Sequence, residues 1–179
     1  MLQSKNNFAF IDSNNLYLGV SDQGWKLDFF RFRKFLKDKY NVRKAFLFIG
    51  FVSQNQQLYT SLQKAGYICV FKPTLEINEN GKIKIKGNVD AELVLHTMIE
   101  YSNYHQAILI SGDGDFYCLI EYLAKNDKLA KIIVPSKHYS SLIRKYSSYI
   151  VNIALFRNKT EKYIPNKKEA FPRDKISLW

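Results

Sequence analysis

Cysteine is nearly absent from this chain, and the two present, Cys69 and Cys118, stand in unrelated contexts. A paired CxxC zinc site is thereby excluded and a disulfide framework is not indicated; both residues read as small buried hydrophobes. Glycine and proline are scarce, 8 and 4 among 179 residues, which rules out collagen-like and low-complexity chains. No apolar run reaches the roughly 18 residues of a membrane-crossing helix. The first sixteen residues lack a signal-peptide plan, because their apolar stretch is only Phe8 to Ile11. The expectation is a cytoplasmic protein with no membrane partner. Acidic residues are the other scarcity. Sixteen Asp and Glu face 27 Lys and Arg, a net charge of +11 with a pI near 9.5. That balance favours polyanions, nucleic acid before an anionic membrane surface.

What is present is enough for a core: 46% apolar and 15% aromatic residues, in a chain long enough for one domain and a short tail. Short apolar runs alternate with helical patterns. Strands are expected at Phe8–Ile11, Ala45–Ile49, Tyr67–Phe71, Ala107–Ile110, Lys131–Val134 and Tyr149–Ile153. Helices are expected over 26–40 (with Leu27, Phe30, Phe35 and Leu36 inward), 53–65 (Ser53 as N-cap), 88–101 (Leu93, Val94, Leu95, Met98 and Ile99 inward), 115–125 and 138–146. Between the third strand and the third helix, Asn78-Glu-Asn-Gly81 signals a turn, and Lys82-Ile-Lys-Ile-Lys86 alternates; this reads as a hairpin excursion with one basic face. Alternating strands and helices imply an α/β fold with a parallel sheet and right-handed crossovers. Regular patterning stops at Arg157. Residues 157–179 carry seven Lys/Arg and three Asp/Glu and read as a mobile or docked basic tail.

Four aspartates stand out by position. Asp12 follows strand one, Asp113 and Asp115 follow the Ala107–Ile110 strand, and Asp90 opens the helix after the hairpin. Open α/β sheets form sites beyond the carboxyl ends of strands where strand order reverses. In a 3-2-1-4-5 order, the strands carrying Asp12 and Asp113 are neighbours there. Clustered carboxylates repel unless a cation intervenes, and an all-oxygen set suits Mg²⁺ or Mn²⁺. Such an ion polarises a phosphodiester. An acidic centre with a basic rim is the electrostatic plan of a nuclease. Each residue also has a plainer reading: Asp12 starting a turn with Asn14 and Asn15, Asp115 as a helix N-cap, Asp113 in a Gly-rich turn, and Asp90, like Glu92, complementing a helix dipole.

Three segments, Phe10-Ile-Asp-Ser-Asn-Asn-Leu16, Lys86-Gly-Asn-Val-Asp90 and Ile110-Ser-Gly-Asp-Gly-Asp-Phe116, resemble the three signatures of the NYN domain. This PIN-like ribonuclease family includes the LabA-like bacterial proteins. The resemblance spans about residues 7–153. It implies a PIN-like three-layer sandwich around a mostly parallel sheet of order about 3-2-1-4-5, with the hairpin as an insertion. The domain would be 1–156 and the tail 157–179. It implies Mg²⁺- or Mn²⁺-dependent hydrolysis of RNA by an endoribonuclease, with Asp12, Asp90, Asp113 and Asp115 as metal ligands and catalytic acids. Asn15 would order the first loop, and Ser111 would hydrogen-bond a metal ligand or phosphate. Asp12 and Asp113 would hold one ion directly; Asp90 and Asp115 would complete its shell or hold a second. Two departures concern loop geometry: Ser13 stands where the family usually has Gly, and Asn88 adds a residue before Val89. PIN-like domains often dimerise, so a homodimer fits the resemblance.

For RNA binding, Lys72, Lys82, Lys84 and Lys86 are the expected contacts, the last three at period two along one strand face; a charged edge strand that opposes aggregation is the alternative. Tyr17 suits base stacking or packing. Arg31, Arg33, Lys34, Lys37 and Lys39 read as a solvated helix face. No nucleophile triad is visible: His96 lies in an apolar helical stretch, and His105 and His138 look superficial. Rival readings are an RNA-binding or scaffold module with an idle site, and a DNA nuclease of related fold. A haloacid-dehalogenase-type phosphatase needs an Asp two residues past Asp12, where Asn14 stands. An EF-hand reading of Asp113-Gly-Asp115 needs Glu where Ala124 stands.

Overall fold

The computed structural model describes residues 6–163 apart from 74, 80–81 and 87–88. Strand β1 (Asn7–Asp12) is buried along its whole length, as expected for the centre of a parallel sheet covered on both faces. Alternation sends Ala9 and Ile11 to one face, and Phe8 and Phe10 to the other. β1 pairs in parallel with β2 (Val42–Gly50) and with β6 (Ala107–Ile110). With β3 (Ile68–Lys72), β7 (Leu129–Val134) and β8 (Ile150–Asn152), the sheet has six strands, all parallel, in the order β3-β2-β1-β6-β7-β8. Counted without the hairpin strands, that is 3-2-1-4-5-6. The sixth strand extends the expected order at its edge.

Helices cover both faces. Leu16 and Val20 of α1 (Ser13–Ser21), Phe32 and Leu36 of α2 (Phe29–Tyr40), and Tyr59 and Leu62 of α3 (Gln56–Lys64) pack against Ala9, Ile11, Leu47 and Ile49. Leu93 of α4 (Asp90–Ile99) and Leu119, Ile120 and Leu123 of α5 (Tyr117–Lys125) pack on Phe8, Phe10, Phe46 and Phe48 opposite. Strands β4 (Leu75–Glu79) and β5 (Lys82–Lys86) form the separate antiparallel hairpin, registered Leu75 to Lys86 and Glu79 to Lys82. The Asn80-Gly81 turn, Asn88, and the tail past Tyr163 lie outside the described residues. The last helix among the described residues, α6 (Arg157–Thr160), docks on α2: Phe156 stacks on Phe35 with ring centres 4.4 Å apart, and Thr160 is fully buried.

Several local expectations change. Helix α1 has no counterpart in the sequence reading. In α2 it is Phe32 that is buried, while Phe30 is exposed. Ser53 lies in a 3-10 turn (Ser53–Asn55) and caps nothing. Residues 141–146 form a 3-10 segment rather than an α-helix. In α4 the inward side chains are Leu93 and Thr97; Leu95, Met98 and Ile99 face outward. The cysteines differ too: Cys69 is half-buried, its thiol pushed up to about 11 by desolvation, while Cys118 is exposed. Arg33 is no solvated charge. Its guanidinium donates to the carbonyls of Gly66 (3.0 Å), Val42 (3.1 Å) and Arg43 (2.8 Å), tying α2 to the left-handed turn at Gly66 (φ +91°).

Candidate functional site

The carboxyl ends of β1 and β6 lie side by side, and the chain leaves each through a residue that does two jobs. Asp12 ends β1 and caps α1: its Oδ1 accepts from the backbone N–H of Asn14 and of Asn15, both at 3.1 Å. Asp113 follows β6 and caps the 3-10 turn Gly114–Phe116, its Oδ1 accepting from Asp115 N–H at 3.0 Å. The cap here is Asp113 and not Asp115, the N-cap of the plainer reading. Capping does not exclude a chemical role for Asp12 or Asp113, since a capping carboxylate keeps free lone pairs.

Ser111 and Asn15 connect the two loops. The Ser111 hydroxyl accepts from Asp113 N–H (3.2 Å) and donates to Asp12 Oδ2 (3.4 Å). Asn15 Oδ1 accepts from Gly112 N–H at 2.9 Å. Ser13 is absorbed as the first residue of α1, buried, with no hydrogen-bond partner for its hydroxyl among the described residues.

Asp90, on the first turn of α4, reaches the same point. Asp90, Asp113 and Asp115 each offer an oxygen, and the three lie within 4.8 Å of one another. Asp90 and Asp113 are partly buried and Asp115 is exposed, so the group opens to solvent. Asp12 is not part of that group and lies deeper, 5% exposed. Burial above all pushes its carboxyl up to about 6; the charges of Asp90 and Asp113 add to this, against the N–H bonds from Asn15 and Asn14. An anion so destabilised beside two others is what a bound cation relieves. The donor set fits a hard divalent ion: carboxylate oxygens only, open on one side for water or phosphate.

Of the expected RNA contacts, Lys72 ends β3 and pairs through Nζ with Glu92 Oε2 at 3.1 Å, both half-exposed. Lys82, Lys84 and Lys86 lie on β5. His96 packs its ring against Phe48 (centroids 5.6 Å apart), and His105 and His138 are exposed. Sequence reasoning missed the segment after β7, Pro135 to Ser140. It closes over the acidic loop, with Ser140 N–H donating to Gly112 O at 3.0 Å. A Cβ at Gly112 would lie 3.0 Å from Tyr139 Cβ, and one at Gly114 would meet the Ser140 hydroxyl. The available signal was Pro135 itself, which stops a strand at the same sheet edge as Asp12 and Asp113.

Comparison with known proteins places the chain among relatives of similar sequence and fold. The chain is 27% identical over 166 residues to the low amplitude and bright protein LabA of Synechococcus elongatus, covering 87% of this chain and 89% of that protein. Its fold is similar to the crystal structure of a protein of unknown function from Vibrio parahaemolyticus, with a TM-score of 0.68 at 21% identity, over 86% of this chain and 96% of the other. The PIN-like nuclease character of the NYN domain and the aspartate cluster are compatible with a metal-dependent nuclease. The family model for the NYN domain matches residues 8–156, from the first central strand to the packing of Phe156, and the chain belongs to this family.

Proposed function

We propose that this protein is a divalent-metal-dependent endoribonuclease. The observation that carries the reading is the convergence of Asp90, Asp113 and Asp115 within 4.8 Å, beside buried Asp12, in a chain of net charge +11. Asp90, Asp113 and Asp115 would hold Mg²⁺ or Mn²⁺, with Asp12 adding its charge from below. A bound ion supplies the charge that polarises a phosphodiester and acidifies water. Ser111 and Asn15 keep the two acidic loops in register through their bonds to Asp12, Asp113 and Gly112. RNA is the favoured substrate because of the family, and the β5 lysines at alternate positions would follow its phosphates. The Lys72–Glu92 pair ties the end of β3 to α4.

The test is incubation of labelled single-stranded RNA, with matching DNA in parallel, in Mn²⁺, Mg²⁺ or EDTA. Wild-type protein is compared with Asp113→Asn and Asp90→Asn. The expected result is metal-dependent RNA cleavage reduced at least ~100-fold in both variants, the scale of losing a main electrostatic contribution. Cleavage that survives in both variants would remove the acid cluster from the mechanism. RNA retention without cleavage in any metal would leave a binding module, and preferential cutting of DNA would make the protein a DNA nuclease.

A further inference from the structure

A cleft of about 190 Å³ opens between α1 and the segment after β7, with Gly112, the residue before Asp113, in its wall. Its walls include Asn15, Asp22, Gly112, Pro135, His138 and Tyr139. Two of these belong to the acidic loops: Asn15 N–H donates to Asp12, and Gly112 immediately precedes Asp113. The cleft therefore borders the loops that carry Asp12 and Asp113.

The cleft is built rather than incidental. Gln23 Nε2 donates to Gly19 O at 2.8 Å and also to Pro135 O, clamping the end of α1 onto the loop after β7. The approach is so close that a Cβ at Gly19 would lie 2.7 Å from Pro135 Cβ. The opposite wall is held by the Ser140 to Gly112 backbone bond.

Its chemistry selects among the parts of a nucleotide. None of the described residues lining it is Lys or Arg, and Asp22 brings a carboxylate; the cleft offers a phosphate no permanently charged partner. Tyr139 supplies an aromatic wall and Pro135 an apolar one, surfaces on which a flat base stacks. The volume equals about six waters at ~30 Å³ each, room for one ring system. We propose that this cleft holds the nucleobase adjoining the phosphate at the acid cluster, and that Asp22 gives it a preference for guanine. The Watson–Crick edge of guanine sets N1–H beside the N2 amino group, two neighbouring donors that one carboxylate accepts together. Uracil presents a single N–H between two carbonyls, which a carboxylate opposes. The inference rests on the reading of RNA as substrate.

The test is binding of fluorescent RNA hexamers at low salt, in Ca²⁺ as a hard cation for the carboxylates and in EDTA, with the RNA checked to be intact afterwards. All-uridine RNA is compared with uridine hexamers carrying one guanosine, cytidine or adenosine. Wild-type protein is expected to bind the guanosine hexamer about tenfold tighter than all-uridine RNA, the scale of one good base contact. Asp22→Asn should bring the two within about twofold. Tyr139→Ala should weaken the guanosine hexamer about tenfold through lost stacking, while Tyr139→Phe keeps wild-type binding. Equal binding of all hexamers, a guanosine preference that survives Asp22→Asn, or no binding of any hexamer overturns the proposal. The preference without cleavage in Mn²⁺ sustains the cleft and retires the nuclease reading; cleavage without the preference retires the cleft alone.

Discussion

Asp12 shows at the scale of one residue how a site opposes stability. Its carboxyl is shifted from an ordinary 3.8 to about 6, chiefly by burial. Because the folded state keeps this proton to higher pH than the unfolded chain, stability from Asp12 is present at low pH and lost as pH rises from about 4 to 6. A shift of that size corresponds to about 3 kcal/mol. In EDTA, Asp12→Asn is therefore expected to gain stability relative to wild type as pH rises through that window, reaching a plateau near neutrality. Urea unfolding at a series of pH values measures it, and a difference of opposite sign would mean that the N–H bonds from Asn14 and Asn15 outweigh burial. The Asp12, Asp113 and Asp115 positions were legible in the sequence because each follows a strand at the sheet's carboxyl edge. That Asp12 lies beneath the other three was not, since burial depth is a property of the packed loops.

Elements built from strong patterns were read well. The β6 strand is found at Ala107–Ile110 as expected, because four consecutive apolar residues between polar segments admit little else. Helix α1 escaped notice because Ser13-Asn-Asn carries turn chemistry, and Leu16 and Val20 are its only buried large side chains. Its start is fixed by the Asp12 cap, a contact that exists only once β1 is placed. The outward Leu95, Met98 and Ile99 of α4 show the converse error: with apolar residues on more than one side, the pattern does not reveal which side faces the sheet. The hairpin is the element with the most direct functional consequence. Replacing Lys82, Lys84 and Lys86 by Ala should weaken RNA binding and flatten its salt dependence. Each phosphate contact contributes ~0.7 to the slope of log K against log salt for single strands, so a fall of about 2 is expected. An unchanged slope in a salt titration would mark β5 as a protective charged edge instead.

For the whole molecule, the family match ends at Phe156, but the packed body continues. Asp28 N–H donates to Thr160 O, and Lys162 N–H to Lys26 O, both at 2.8 Å. Arg31 Nη1 donates to Glu161 O at 2.8 Å, and Leu27 bridges Glu161. Arg157 lies over Trp25, its guanidinium carbon 5.8 Å from the ring centre. A chain ending at Phe156 should lose about 2–4 kcal/mol, several net hydrogen bonds plus the burial of Thr160, whereas one ending at Tyr163 should keep these contacts. Urea denaturation of the two truncations decides whether residues 157–163 are a strap of the domain or dispensable.

The succession of strands, the positions of the four aspartates along the chain and the excess of positive charge are local facts, readable from periodicity, turn residues and composition. Which acids meet, which one is buried, and the wall made by the segment after β7 are not. They depend on β1 and β6 becoming neighbours across about a hundred residues, which brings Ser111 to Asp12 and Gly112 to Asn15. Periodicity carries no information at that range; packing of the two layers against the sheet supplies it.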